Sequence, residues 1–358
     1  MQSIPPTMPQ VSSIHDRYSR QILFPGIGSR GQELLAQARV AVVGVGATGA
    51  ASASLLARAG IGHLTLIDRD FVEFSNLQRQ ILFDEADAQA ALPKAEAARR
   101  KIALFNSSIV VETAIADLVP ANVSEYLQSA DLILDCTDNF ETRYLLNDYA
   151  VREAKPWIYA AAIGAYAATM NILPAPSAKW EPTACLACIF PAPPSGPVET
   201  CDTAGILSTA VNLAASIQTT EALKFLTGQT SLMRRTLLSH ELWTNQRSEI
   251  ATGRPLSDCP VCSDRVFTHL AGTARPHITL CGRNSVQIHE HHRPLDLAAL
   301  QATLAKNPDL QDIRANAMLL RFRRDSNTIT VFPDGRALIQ GTTDISTART
   351  LYARYIGS

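Results

Sequence analysis

The sequence has almost no net charge, because 32 lysines and arginines face 33 aspartates and glutamates, leaving −1 at neutral pH. A general nucleic-acid binder or a protein of anionic membrane surfaces needs a basic excess, so both classes are excluded. The chain also lacks an apolar run of the roughly 18 residues that a membrane span needs. The first ten residues, MQSIPPTMPQ, hold neither a basic nor an apolar segment. We therefore expect no secretion signal and a cytoplasmic protein.

Charged residues are scarce, at 18% of the chain, whereas 46% of the residues are hydrophobic, which predicts a folded chain with a sizeable core. A length of 358 residues allows one large domain and a smaller one. We predict a flexible Pro- and Ser-rich N-terminus over 1–14 and a main domain over 15–268. After a linker near 270–276, a small α+β domain follows over 277–358.

Strands and helices alternate along the main domain. Apolar, β-branched runs predict strands at 39–43, 63–67, 109–113, 131–134, 157–160 and 235–240. Helical patterns lie at 31–37, 50–59, 94–104, 140–153 and 204–227. This alternation predicts a Rossmann-like, mostly parallel sheet with flanking helices, which binds ligands at the carboxyl ends of its strands. In the small domain we predict a strand near 277–281, helices at 295–305 and 344–356, and two or three strands across 317–340.

A glycine motif follows the first predicted strand. Gly44, Gly46 and Gly49 lie between that strand and a helix, where backbone N–H groups and the helix N-terminus can hold a phosphate. Asp68, at the end of the second strand, is placed to accept a hydrogen bond from a ribose hydroxyl. The alternative is that the glycines serve only helix–strand packing. The motif alone does not separate NAD(P), FAD and ATP as ligands.

The cysteines are few but paired. Cys185 and Cys188 form one C-x-x-C pair, and Cys259 and Cys262 form another 71 residues later. Four such thiolates complete a tetrahedral zinc site, which would pin the loop that carries the first pair. That loop, 174–197, holds seven prolines, so we predict a crossing loop without regular structure. The alternative of two unrelated buried or redox pairs is disfavoured, since neither pair is predicted to open a helix after a strand.

Several further motifs occur in a fixed order. They are Arg17-Tyr-Ser-Arg20-Gln21, Asp68-Arg-Asp70, Asn76-Leu-Gln-Arg79-Gln80, Pro93-Lys94 and Asp135-Cys-Thr-Asp138-Asn139. With both cysteine pairs, they resemble the ThiF/MoeB-type adenylyltransferases, kin of ubiquitin-activating enzymes, over about 15–268. The resemblance implies ATP-dependent adenylation of the C-terminal glycine of a ubiquitin-like sulfur-carrier protein, with release of pyrophosphate. It also implies a homodimer and a sulfur donor such as a cysteine desulfurase.

The resemblance carries roles to individual residues. Arg79 and Lys94 would bind the triphosphate, Asp138 would hold Mg²⁺, and Arg20 would reach the phosphates of the neighbouring subunit. The nucleotide-binding set is completed by Gly44, Gly46, Gly49, Asp68, Asp70 and Asn76. The alternatives are solvated surface charges for Arg79 and Lys94, and a helix N-cap role for Asp138.

Cys201 lies ahead of a predicted helix and resembles the loop cysteine that, in some members of the family, forms a covalent link with the activated carrier. A helix N-terminus favours the thiolate. The alternative is an accessible but idle thiol.

Other features carry weaker signals. His289-Glu-His291-His292 is interpreted as a hydrophilic loop rather than a metal site, and a sulfurtransferase role for the loop at Cys281 is discounted. The chain ends without a Gly-Gly pair, which indicates the activator rather than the carrier. Two rival functions stay open. One is a non-catalytic scaffold of the same fold. The other is an NAD-dependent oxidoreductase, which leaves the cysteine pairs unexplained.

Overall fold

The computed structural model describes residues 14–175, 177–193, 201–272, 279–280, 285–288, 294–316, 318–333 and 335–357. Two sheets organise them. The first holds eight strands: β1 Arg39–Val43, β2 His63–Ile67, β3 Val110–Ala114, β4 Leu132–Asp135, β5 Trp157–Ile163, β6 Tyr166–Ile172, β7 Thr236–Glu241 and β8 Gln246–Ala251. Their order is β3-β2-β1-β4-β5-β6-β7-β8. The first five are parallel, and β6 to β8 extend the sheet in antiparallel fashion.

Helices cover both faces of this sheet. They are α1 Ile14–Ile22, α2 Gly28–Gln37, α3 Ala47–Ala59, α4 Glu85–Gln89, α5 Lys94–Phe105, α6 Val123–Leu127, α7 Phe140–Arg152, α8 Leu186–Ile189, α9 Cys201–Ala204 and α10 Ser208–Leu226. One core joins α2, α3 and α5 to the sheet, and the other joins α7 and the cysteine-bearing segments to its opposite face. The predicted Rossmann-like fold with flanking helices is confirmed.

The second sheet is antiparallel and lies in the C-terminal part of the chain. Its strands are β9 Thr279–Leu280, β10 Ser285–Ile288, β11 Gln311–Ala315, β12 Leu320–Arg324, β13 Asn327–Val331 and β14 Ala337–Gln340. Their order is β11-β12-β13-β14-β10-β9. With α11 Leu297–Leu304 and α12 Ile345–Tyr355 they enclose a separate apolar core, in which Phe322 meets Tyr355 edge to face. The predicted α+β character is confirmed. We call the part of the chain from β9 to α12 the C-terminal domain.

The structure also differs from the prediction. The Pro-rich loop was predicted to lack regular structure, yet Leu186–Ile189 forms one helical turn with Cys185 as its N-cap residue. Asn147 in α7 supports this turn, because its Oδ1 accepts a hydrogen bond from the Leu186 amide at 2.8 Å. The first pair thus lies at the start of a short helical turn, but this turn follows the loop after β6, which ends at Ile172, so the argument that neither pair opens a helix directly after a strand still holds.

Some strands and the first helix were not predicted. These are α1, β6, β8, β10 and β11. β8 shows why, since the edge strand QRSEIA is exposed along its whole length and gives no apolar signal. Among the described helices, none combines the length and apolar character needed to span a bilayer.

Candidate functional site

Three parallel strands end at the same level of the sheet. Val43, the last residue of β1, is in register with Ile67 of β2 and with Asp135 of β4. The chain therefore leaves the sheet at Gly44, Asp68 and Cys136 along one edge. The carboxyl edge of a parallel sheet is where ligands bind in this fold, so the glycine motif, Asp68 and Asp138 share one site.

The three motif glycines differ in what they do. Gly44 has φ +84°, and a β-carbon there would lie 2.8 Å from the Cys136 carbonyl oxygen. A β-carbon on Gly49 would fall 1.8 Å from the Gly44 carbonyl oxygen, so these two glycines are needed for helix–strand packing. Around Gly46 the nearest atom to such a β-carbon is Gln80 Nε2 at 3.9 Å. Helix–strand packing therefore explains why glycine is needed at positions 44 and 49. It does not explain Gly46, which leaves room for a ligand at the start of α3.

Asp68 organises the glycine turn. Its Oδ2 accepts a hydrogen bond from the Val45 amide at 2.6 Å, and its Oδ1 accepts one from the Asp70 amide at 2.7 Å. Burial raises the pKa of this carboxyl, and the nearby Lys94 ammonium opposes that shift. Each carboxylate oxygen has a second acceptor position, so the predicted ribose contact remains open to Asp68.

Lys94 is not a surface charge. Its side chain is only 5% exposed, and its Nζ lies 3.1 Å from Oδ2 of Asp70. Arg69 lies 3.6 Å from the same carboxylate and pairs with Asp117 at 2.6 Å. The alternative of a solvated charge is therefore wrong for Lys94. The buried cation lies beside Asp68, at the strand-end edge.

We expect Lys94→Met to weaken ATP binding about 10-fold, because a charge-assisted contact to an anion is lost. The same change should lower the free energy of unfolding by about 3 kcal/mol, since it leaves Asp70 buried without its closest partner. Calorimetric titration with ATP and urea unfolding measure the two effects.

The Asp70→Asn/Lys94→Met double variant separates the two roles of the pair. It removes both charges, so most of the stability should return while ATP binding stays weak. Full ATP affinity in the double variant would reduce Lys94 to a structural residue.

Asn76 and Arg79 lie on a loop beside the glycine turn. Asn76 ends a 3₁₀ turn, Phe74–Asn76, and its Oδ1 accepts a hydrogen bond from the Glu73 amide at 3.0 Å. Arg79 is half-buried and donates from Nη1 to the Ser75 carbonyl at 2.9 Å.

The sequence analysis gave no role to Gln80, whose buried side chain faces Gly46. We call residues 68–80 the nucleotide loop.

Asp138 is exposed in the turn between β4 and α7, and it does not cap the helix that follows. The cap of α7 is Asn139, whose side chain accepts a hydrogen bond from the Thr142 amide at 2.8 Å. The alternative of an N-cap role for Asp138 is therefore wrong, and its carboxylate lies at the edge of the sheet where the glycine turn begins. Oxygen ligation of this kind suits Mg²⁺.

Arg143 supports the turn that carries Asp138. It is buried, its Nε lies 3.2 Å from Asp135 Oδ2, and its Nη2 donates to the Thr137 carbonyl at 2.6 Å. The guanidinium also stacks over Tyr159 at 4.8 Å. Burial raises the pKa of Asp135, while Arg143 opposes the shift. Arg143 could have been singled out from the sequence by its position. It lies within the first turn and a half of α7, close in the chain to Asp135, the acid that ends β4.

Arg20 is not brought to the glycine turn of its own chain. It is exposed on α1, and α1 packs against the far end of α3, where Gln21 Nε2 donates to the Ala59 carbonyl at 2.8 Å. The 13 residues of α3 separate that end from Gly46 by about 20 Å. A role for Arg20 at a phosphate thus requires a second chain.

Cys201 begins α9, and its side chain lies outside the part of the chain that is described. The residues directly after α9 approach the nucleotide loop, since Gln78 Nε2 donates to the Ile206 carbonyl at 3.4 Å. Cys281 and 289–292 also lie outside the described residues, so the predictions on them stay open.

The two C-x-x-C pairs meet in one cluster. The Sγ separations are 3.8 Å for Cys185–Cys188, 3.6 Å for Cys185–Cys259 and 3.4 Å for Cys188–Cys262, and all four sulfurs lie within 4.8 Å of one another. A zinc tetrahedron with bonds of about 2.3 Å has sulfur–sulfur edges of about 3.8 Å. Hydrogen bonding from Cys185 lowers the pKa of the Cys188 thiol, which favours the thiolate. The donor set therefore fits a structural zinc ion.

Helix α7 holds both cysteine segments. The neighbouring residues Asn147 and Asp148 are fully buried in it. Asn147 accepts from the Leu186 amide, and Asp148 Oδ2 accepts from the amides of His269, at 2.8 Å, and Leu270, at 3.3 Å. The helix that begins next to Asp138 is thus the one on which the cysteine cluster is built.

A glycine turn at a helix start and acidic residues at the ends of adjacent parallel strands are typical of nucleotide-binding α/β proteins, and the four-cysteine cluster has the ligand set of a structural metal site. The ThiF family model matches residues 18–261 of this chain. The chain belongs to the ThiF family.

Two relatives extend the comparison. The sulfur carrier protein ThiS adenylyltransferase of Bacillus subtilis is 42% identical over 344 residues, which are 95% of this chain and 99% of that protein. The sulfur carrier protein adenylyltransferase of Thermus thermophilus is 36% identical over 250 residues, 70% of this chain and 91% of that protein. The Bacillus match is long enough to reach into the C-terminal domain.

Among solved structures, Escherichia coli MccB with ATP is similar to this chain. The TM-score is 0.59 at 25% identity, and the superposition covers 69% of this chain and 74% of that one. A structure of PaaA, at 23% identity and a TM-score of 0.54, shares the fold.

Proposed function

We propose that the protein catalyses ATP-dependent adenylation of the C-terminal glycine of a small ubiquitin-like sulfur-carrier protein. The observation that carries this proposal is the 42% identity, over nearly the full length of both chains, to an adenylyltransferase acting on such a carrier. The arrangement supports it, because the glycine turn at Gly46, the buried cation Lys94 and the exposed Asp138 all lie at the strand-end edge of the parallel sheet, where ligands bind in this fold. Crystalline MccB with ATP, on the same fold, adds support for ATP as the ligand.

In the proposed reaction the carrier carboxylate attacks the α-phosphorus of ATP, and the bond to the leaving pyrophosphate breaks. The amides at the start of α3 and the cations Lys94 and Arg79 bind the phosphates and offset the charge that moves onto the leaving oxygens. Asp68 binds the ribose. Asp138 would hold Mg²⁺, which supplies further positive charge at the phosphates when bound.

The partners complete the proposal. Arg20 acts in the site of a second subunit of a homodimer, which accounts for its distance from its own glycine turn. Cys201 attacks the carrier acyl-adenylate, which forms a thioester and releases AMP. A cysteine desulfurase or another sulfur donor supplies the sulfur for the transfer that follows. The four clustered thiols fit the reducing cytoplasm, with zinc bound between them.

Carrier-dependent ATP–pyrophosphate exchange tests the function. We expect exchange with a ubiquitin-like carrier that ends in Gly-Gly, and none when the terminal glycine is deleted, because the acceptor carboxylate is then misplaced. A panel of such carriers identifies the substrate.

Each rival function has its own outcome in the same assay. ATP binding without exchange against any carrier would leave the non-catalytic scaffold. Reduction of NAD(P) by the protein would revive the oxidoreductase and overturn the proposal.

A further inference from the structure

The C-terminal domain packs against the nucleotide loop. Phe71, which follows Asp70 in that loop, is buried in a small apolar cluster with Leu319, Phe332 and Leu338 of the C-terminal domain. Ile115, just after β3, packs against the same cluster. The contact therefore joins the C-terminal sheet to the strand-end edge at which the candidate site lies.

Arg321 of β12 makes two contacts with the nucleotide loop. Its guanidinium carbon lies 4.1 Å from the centre of the Phe71 ring, and its Nη2 lies 3.1 Å from Glu73 Oε1. Glu73 is the N-cap residue of the 3₁₀ turn that positions Asn76, and the two residues form a reciprocal capping box. One cation of the C-terminal domain thus holds the turn that precedes Arg79.

Arg336 holds the neighbouring segment. Its Nη2 donates to the Ile115 carbonyl at 2.5 Å, and its guanidinium stacks over Phe332 at 4.4 Å. Its charge also acts on Asp117, which pairs with Arg69 at 2.6 Å. Since Arg69 also lies 3.6 Å from Asp70, the Asp117–Arg69 pair connects the surroundings of Arg336 with the Asp70–Lys94 pair.

We propose that the C-terminal domain positions the nucleotide loop, with Arg321 and Arg336 as positioning residues for ATP binding. The proposal rests on the proposed function of the candidate site. Arg321 contacts Phe71 and Glu73 of the loop, and Arg336 contacts the Ile115 carbonyl after β3, so the role argued for both is to position the loop rather than to bind the phosphates. Loosening these contacts would move Asn76, Arg79 and Asp70 relative to Gly46, which is the open part of the site.

The test compares Arg321→Ala with wild type in ATP–pyrophosphate exchange, using a carrier that supports exchange. We expect the KM for ATP to rise about 5-fold, with kcat within about 2-fold and the KM for the carrier unchanged, since an ion pair and a cation–π contact to the loop are lost. Partial unfolding of the sample would lower kcat in proportion and leave the KM for ATP unchanged. The split between KM and kcat therefore separates positioning from general damage.

Two variants sharpen this test. Arg323→Ala is the matched control, because Arg323 lies two residues along β12, is half exposed, and pairs with Asp312 of its own domain at 3.7 Å. It should leave the KM for ATP at the wild-type value. Arg321→Lys keeps a cation near both Phe71 and Glu73, and should restore more than half of the lost affinity.

An unchanged KM for ATP in Arg321→Ala, or an equal rise in Arg323→Ala, would overturn the positioning proposal and leave the adenylyltransferase function intact. Absence of exchange in the wild-type protein would instead remove the proposed function. The ATP dissociation constants of the same three variants, from calorimetry, would then decide the positioning role alone: weaker binding confined to Arg321→Ala supports it, and equal binding overturns it.

Discussion

Replacing Asp138 by alanine is expected to lower carrier-dependent ATP–pyrophosphate exchange by about 100-fold or more while the protein stays folded. The physical reason is that this carboxylate is exposed in the turn between β4 and α7, at the glycine edge, and it is not needed to cap α7. Without it, a cation that neutralises the leaving pyrophosphate loses its protein ligand. Exchange rates at saturating ATP and carrier, over a range of Mg²⁺ concentrations, measure the effect.

Stability should change little in Asp138→Ala. Asn139 still caps α7, and Arg143 still bonds to Asp135 and the Thr137 carbonyl, so the turn keeps its own support. Exposed substitutions of this kind shift the free energy of unfolding by less than about 0.5 kcal/mol. Thermal and urea unfolding of the variant should therefore superimpose on the wild-type curves.

Two further variants frame the result. Glu125→Ala removes an exposed carboxylate from α6 and should leave exchange unchanged. Asp138→Asn keeps the shape of the side chain but loses its charge, and it should be nearly as inactive as the alanine variant. Full exchange by Asp138→Ala would contradict a magnesium-binding role for Asp138, and the metal ligands would then have to be sought among other oxygen atoms at this edge.

Removal of metal from the four-cysteine cluster is expected to lower the unfolding temperature by about 10 °C or more. Cys185, Cys188 and Cys259 are buried, so without a metal they become close-packed thiols that no ion holds together. Metal analysis of the purified, reduced protein should find a single zinc ion per chain. Cys185→Ser should lack it and reproduce the instability of the chelated protein.

The order of events in metal removal follows from the hydrogen bonds of α7. The first regions to loosen should be the loop around 182–190 and the segment around Cys262, because they carry the cysteines and, without the metal, depend on the hydrogen bonds of Asn147 and Asp148 to stay on α7. Limited proteolysis of the chelated protein should cut there before it cuts β1 or α3. Loss of exchange should follow, because α7 begins next to Asp138.

Cys136→Ala is the matched control for metal content. Cys136 is a buried thiol beside Gly44 and Gly49, on the other side of the strand end from the cluster, and its replacement should leave the zinc stoichiometry unchanged. A metal-free protein that unfolds at the wild-type temperature would contradict the structural role of the cluster. Loss of exchange with an intact α7 and an intact loop would show a direct role for the metal in catalysis.

The sequence predicted the elements that depend on local patterns. β1 and β2 were predicted with their observed bounds, because each is a short, mostly apolar run that is followed by a glycine or an acid at the edge of the sheet. The glycine motif predicted the turn at Gly44, and the paired C-x-x-C spacing predicted the cluster of Cys185, Cys188, Cys259 and Cys262. These signals can be recognised in the sequence alone, because each one is a spacing along the chain.

The tertiary structure alone decided which polar groups are paired. Arg143 with Asp135, Asp148 with the segment after Cys262, and Arg321 with Glu73, 248 residues away, show no periodic pattern in the sequence. A buried polar side chain is stable only with its partner, and the partner is chosen by the packing of distant elements. The residues proposed to act on the ligand could thus be predicted from short motifs. The residues that hold them in place, including those of the C-terminal domain that pack against the nucleotide loop, could be identified only from the fold.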